Sequence, residues 1–181
     1  MRFAYGKQDL RSQQRAQEVS FLLTNGLGGY ASMTAAFSAP RCDQGILVAA
    51  QTAPNRRITL VHRLSEKLHL GERDAFLSTQ SFADGTEAED GWRSLSSFVF
   101  EYTPCWRYHV GGVSVERRMC MAQEENTTAV LYTIETAPPA TVHWRLPPSS
   151  NSRQRRKLRP GWIEALSMKM AAFPRRDTEY T

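Results

Sequence analysis

No stretch of this sequence approaches the roughly 18 consecutive apolar residues that a membrane-spanning helix requires. The opening Met1-Arg2-Phe3-Ala4-Tyr5-Gly6-Lys7 leads into polar sequence and not into an apolar signal core. A cytoplasmic chain without a membrane partner is the resulting expectation. Cysteine is scarce: Cys42, Cys105 and Cys120 are odd in number and none stands in CxxC spacing. That argues against a disulfide framework and a zinc ribbon, and for thiols kept reduced. His62, His69, His109 and His143 are scattered through strand-like sequence with no pair at metal-ligand spacing, so no metal is expected. The glycines of Asn25-Gly26-Leu27-Gly28-Gly29-Tyr30 do not fit GxGxxG, and no helical pattern with a downstream ribose-binding acid follows them. With no nucleophile elbow either, neither a nucleotide cofactor nor covalent catalysis is indicated.

What is present is ordinary globular material: 41% apolar and 23% charged residues in a chain of 181, enough for one domain with a core. The net charge of +5 is unevenly placed. Residues 1–146 hold 15 Lys and Arg against 15 Asp and Glu, whereas 147–181 hold 8 against 3. The candidate fold is formally neutral, and the basic excess belongs to the tail.

Along the chain the dominant signal is β. The polar stretch Gln8 to Val19 supports at most a short helix, after which Phe21-Leu22-Leu23 starts a strand and the glycines of residues 26–29 break it into a shaped loop. Strands are predicted at Ile46–Ala50 and Ile58–Leu64 around a Pro54-Asn55 turn, and a hairpin at Lys67–Leu70 and Ala75–Ser78. Phe82 to Gly91, acidic and turn-rich, is read as an exposed loop. The clearest hairpin is Trp106–Val110 and Val113–Met121 about Gly111-Gly112, since Gly-Gly supplies the positive φ angles of a tight primed turn. On its second arm Val113, Val115, Met119 and Met121 share a core face interrupted by Arg117. Ser97–Tyr102, Ala129–Ile134 and Thr141–Leu146 complete eight or nine strands with short connections, the pattern of an all-β antiparallel sandwich over residues 1–146. Residues 147–181 read as a basic linker and tail, poorly structured, with a short amphipathic helix compatible with Trp162 to Phe173.

Three ordered segments carry a family resemblance: Met1 to Gln8; Leu22 to Ser32, followed by Arg41-Cys42-Asp43-Gln44-Gly45-Ile46-Leu47-Val48-Ala49; and Pro104 to Val113, with Glu125-Asn126-Thr127-Thr128 downstream. Together they resemble the N-terminal domain of bacterial and archaeal glycogen debranching enzymes of the amylo-α-1,6-glucosidase type. The resemblance implies a supersandwich-like β domain and an enzyme whose catalytic acids sit in a helical barrel absent from these residues. Where that family has Arg, any residue, Tyr or Asp, then His, this chain has Arg41, Cys42, Asp43 and Gln44, so the histidine's role is missing or altered.

By this reading the chain is a noncatalytic module that buttresses a helical-barrel glucosidase domain and contacts glycogen or another α-glucan, with no catalytic residue and no cofactor of its own. Glycoside hydrolysis needs two carboxyl groups at a defined separation. The acidic clusters here, Glu87-Glu89-Asp90 and Glu124-Glu125, read as solvated loop charge. The interface or glucan candidates are Asn25, Gly26, Gly28, Gly29, Tyr30, Arg41, Asp43 and Trp106. For the loop glycines turn geometry is the plainer role, and for Trp106, like Trp92, Trp144 and Tyr108, a place in the core. Because the loop leaves one strand and Arg41-Asp43 precedes the next, both are expected at one end of the sandwich. Two rival readings are a small nucleic-acid-binding protein acting through basic residues 153–162, which the neutrality of 1–146 disfavours, and a truncated or frameshifted fragment without function.

Overall fold

The computed structural model describes residues 2–52, 56–70, 73–82, 84, 86–135, 141–145 and 171–172. Its elements run β1 (Phe3–Gly6), α1 (Gln13–Glu18), β2 (Ser20–Thr24), β3 (Tyr30–Thr34), β4 (Gly45–Thr52), β5 (Arg56–Val61), β6 (Ser65–Leu70) and β7 (Arg73–Phe76). Then come β8 (Thr79–Ser81), β9 (Glu87–Asp90), a 3-10 turn (Gly91–Ser94), β10 (Leu95–Phe100), β11 (Pro104–Val110), β12 (Val113–Met121), β13 (Thr128–Glu135), β14 (Thr141–Arg145) and β15 (Ala171–Ala172). Among the described residues the fold class is the predicted one, mostly antiparallel β with one short helix, but the strands are shorter and more numerous than the eight or nine expected. That helix starts at Ser12, whose hydroxyl accepts from the Arg15 N–H at 3.2 Å, satisfying one of the N–H groups a helix start leaves orphaned.

The strands form a six-stranded sheet in the order β1-β10-β11-β12-β13-β15, a four-stranded sheet β2-β3-β4-β5, a three-stranded sheet β14-β6-β7 and the pair β8-β9. The first two sheets enclose the main core. Phe21 from the four-stranded sheet meets Phe98 and Trp106 from the six-stranded one, the Phe21 and Trp106 rings standing edge to face at 5.4 Å, a geometry aromatic quadrupoles favour, and Met33 joins the same buried cluster. The Gly111-Gly112 hairpin forms as predicted: β11 and β12 pair from Cys105↔Arg118 to Val110↔Val113, and both glycines have positive φ, +56° and +81°.

Three expectations need correcting. Phe82 to Gly91 is not simply an exposed loop, because it contains β9, which pairs with β8 just before it, and Glu89 is buried. Its charge is compensated there: Glu89 accepts from the Ser65 and Ser78 hydroxyls, each at 2.6 Å, and from Arg63 at 3.0 Å. Arg117, read as an interruption of an apolar face, is wholly buried on that face. Tyr30 to Thr34, which followed the glycines without a predicted strand, forms β3. The 53–55 turn, the 147–152 linker, the basic stretch 153–162 and most of the proposed terminal helix lie outside the described residues. Of that helix, Ala171–Ala172 instead pair in parallel with Leu131 and Tyr132 of β13. Among the described residues no helix is long and apolar enough to cross a membrane.

Candidate functional site

The loop between β2 and β3 is built around Asn25, which is fully buried. Its Oδ1 accepts from the N–H groups of Leu27 at 3.0 Å and Gly29 at 2.9 Å. Its Nδ2 donates to the Glu125 carbonyl at 2.9 Å and to Asn126 Oδ1 at 3.2 Å. The side chain therefore meets its full amide capacity internally, and Asn25 shapes the loop and does not project toward a partner. Gly26 and Gly28 adopt φ of +79° and +88°, the left-handed region that side chains resist. At Gly29 the constraint is space: a Cβ would sit 2.7 Å from Asn25 Nδ2 and 2.8 Å from Asn126 Oδ1. Gly29→Ala should therefore cost about 1–3 kcal/mol, the range of forced overpacking. Urea unfolding checks this, and an unchanged midpoint would show that the amides yield freely.

The loop borders a groove of about 780 Å³ on the face of the four-stranded sheet that turns away from the core. Residues alternate along a strand, so Ser20, Leu22, Thr24 and Ser32 line the groove, and Phe21 borders it while its ring packs against Trp106 in the core. Gly26, Gly28, Gly29, Tyr30, Arg41, Asp43 and Arg57 also line it. The Tyr30 hydroxyl donates to the Asp43 carbonyl at 2.6 Å, fixing the 41–43 turn over the end of β3. Arg57 donates from Nε to the Gly28 carbonyl at 2.8 Å, with its guanidinium 5.6 Å from the Tyr30 ring centre. Arg41 Nε lies 3.5 Å from Asp43 Oδ1, both side chains more than half exposed, a pair that contributes little to stability. Leu22 in the groove and Leu27 on the loop are exposed at 57% and 41%, adding apolar area in and beside the groove.

Six of the eight candidates, Gly26, Gly28, Gly29, Tyr30, Arg41 and Asp43, thus share one groove. Asn25 supports it from below. Trp106 does not belong to it: the ring is wholly buried against Phe21, Phe37 and Phe98, and its Nε1 donates to the Ala35 carbonyl at 2.9 Å. A ring so enclosed has no face to offer a sugar, so Trp106 is a core residue. Gln44 is buried and closes the turn, its Oε1 accepting from the Arg41 N–H at 3.2 Å.

A family model described as glycogen debranching enzyme N terminal matches residues 20–163. The chain belongs to this glycogen debranching enzyme N-terminal family. The match begins with β2, includes every groove residue of the debranching-enzyme domain and runs past Leu146. Comparison with the curated proteins and with the solved structures gave no match.

Sequence reading of this debranching-enzyme domain missed a buried polar cluster on the inner side of the six-stranded sheet. Arg117 lies against both the Phe37 and the Trp106 rings, its guanidinium carbon 3.4 and 4.4 Å from their centres. It donates from Nη1 to Glu66 and from Nη2 to the Tyr108 hydroxyl, and the Tyr132 hydroxyl donates to Glu66. Burial pushes the Glu66 carboxyl up, against the pull of Arg117, and pushes the Tyr108 phenol far above its ordinary range. The Ser78 hydroxyl links this cluster to Glu89, accepting from the Glu66 N–H at 2.8 Å while donating to Glu89. The one available signal was the place of Arg117 in an apolar stripe.

Proposed function

We propose that the chain is a noncatalytic module of a glycogen debranching enzyme, acting in the cytoplasm, which buttresses a helical-barrel glucosidase domain with its groove face and helps shape the glucan cleft. The observation that carries this reading is the convergence of Tyr30, Arg41, Asp43 and the loop glycines in one groove beside exposed leucines. Such a mixture of apolar area with hydroxyl, guanidinium and carboxylate groups suits a polar partner surface or a polyhydroxylated chain.

Family membership supplies the enzyme context. The chemistry argues for an accessory part: among the groove's lining residues Asp43 is the single carboxylate, whereas glycoside hydrolysis uses two. Glu66 and Glu89 are already committed to Arg117, Arg63, Tyr132 and serine hydroxyls. The purified chain is expected to release no glucose from a branched limit dextrin; release would overturn the noncatalytic reading. In the enzyme carrying both domains, Arg41→Ala combined with Leu22→Asp should weaken domain docking or glucan use. Unchanged activity and stability would argue against the groove's role.

A further inference from the structure

The segment Glu125-Asn126-Thr127 lies on the connection between β12 and β13, in the six-stranded sheet, with Thr128 opening β13; Glu125 is 100 residues along the chain from Asn25 of the glycine loop. Yet this connection reaches the loop at several points. The Glu124 N–H donates to the Asn25 carbonyl at 2.8 Å, and Gln123 Nε2 donates to the Thr24 carbonyl at 3.1 Å. Asn126 goes further. Its Oδ1 accepts from Asn25 Nδ2 at 3.2 Å and from the Ala50 N–H at 3.3 Å, while its Nδ2 donates to the Ala50 carbonyl at 3.3 Å.

One side-chain amide thus completes both backbone groups of Ala50 and one donor of Asn25. It does so two residues beyond Val48, which pairs with Tyr30 at the end of the β3–β4 register. A side-chain amide placed past the end of a ladder satisfies backbone groups that would otherwise lack partners. Asn25 in turn sets Leu27 and Gly29 through its Oδ1, and Gly29 has to lack a Cβ because the two amides occupy that space. The geometry points to Asn126 as the positioning residue of the groove: a side chain of the six-stranded sheet's hairpin connection that fixes the loop on the opposite sheet through Asn25, while not itself lining the groove.

This inference rests on the groove's being the docking or glucan face, and the experiment separates the two. Hydrogen exchange of the Leu27 and Gly29 amides is followed in the chain bearing Asn126→Ala, with Val115→Ala as a comparison that loosens the core without touching the loop. Asn126→Ala should speed exchange at both amides by roughly tenfold, the scale of one net hydrogen bond, and Val115→Ala should not do so selectively. Asn126→Asp retains the acceptor for Asn25 and should restore part of the protection. In the two-domain enzyme Asn126→Ala should raise KM for limit dextrin and leave kcat near its original value. Unaltered loop exchange in Asn126→Ala would overturn the inference and leave the docking reading intact. Loop exchange that quickens while KM stays unchanged, in an enzyme where Arg41→Ala does raise it, would also overturn it. If neither Arg41→Ala nor Asn126→Ala moves KM, the docking reading fails, and the altered exchange alone still supports Asn126 as the residue that shapes the loop.

Discussion

Glu66→Ala is expected to remove about 3–5 kcal/mol of folding stability, the cost of leaving a buried guanidinium without its counter-charge. Arg117 and Glu66 are both fully buried, the pair joins the three-stranded sheet to the six-stranded one, and the Tyr132 hydroxyl shares the same carboxylate. Arg117 Nε already lacks a partner among the described residues, so the cluster has no spare capacity to absorb the loss. With total stability of a domain near 5–15 kcal/mol, the variant should be marginal or insoluble at ambient temperature. A double replacement, Glu66→Leu with Arg117→Met, should recover much of the loss, because exchanging a whole buried pair for apolar residues is often neutral or stabilising. Urea midpoints read with the slope checked for two-state behaviour decide the matter. A loss below about 1 kcal/mol for Glu66→Ala, the level of an exposed pair, would show that water reaches Arg117.

Gly91→Ala should be comparably severe, at about 3 kcal/mol, the upper end of overpacking costs. Gly91 opens the turn after β9, and its N–H donates to the Ser78 carbonyl at 2.9 Å. A Cβ there would lie 2.5 Å from the Leu77 carbonyl carbon and 2.6 Å from the Ser78 oxygen. These are backbone atoms, which cannot swing aside as a flexible side chain would. Leu77 also donates its N–H to the Glu66 carbonyl at 3.0 Å, so a displacement would pass directly into the buried cluster. A drop in thermal midpoint of several degrees is expected; an unchanged midpoint would contradict the close approach.

Sequence made the hairpins legible wherever a turn residue and a period-2 pattern coincided, as at Gly111-Gly112 between Trp106–Val110 and Val113–Met121. It was silent where neither did. Tyr30-Ala31-Ser32-Met33-Thr34 follows three glycines and offers mostly small residues, so its burial as β3 depends on packing that a local window does not see. The grouping of Tyr30, Arg41 and Asp43 with the loop does not come from a shared strand end: the loop enters β3 at Tyr30 whereas the 41–43 turn precedes Gly45, opposite Ser32, and the Tyr30 side chain bridges the two. Arg57 and Asn126 were invisible as site residues because their partners, Gly28 and Asn25, are distant in sequence. The Glu89 misreading has the same root. An acid in a turn-rich stretch suggests solvent, until Arg63, Ser65 and Ser78 are brought around it by tertiary pairing.

The groove as a docking face is tested most directly by thiol labelling. Cys42, between Arg41 and Asp43, and Cys120, on β12, are both exposed, so one reports on the groove rim and the other on the six-stranded sheet. The chain is alkylated alone and in the presence of a separately produced helical-barrel domain of a debranching enzyme, with modification followed at each cysteine by mass spectrometry. Selective protection of Cys42, abolished by Leu22→Asp, is the predicted result; equal labelling of Cys42 with and without saturating barrel domain would contradict the account.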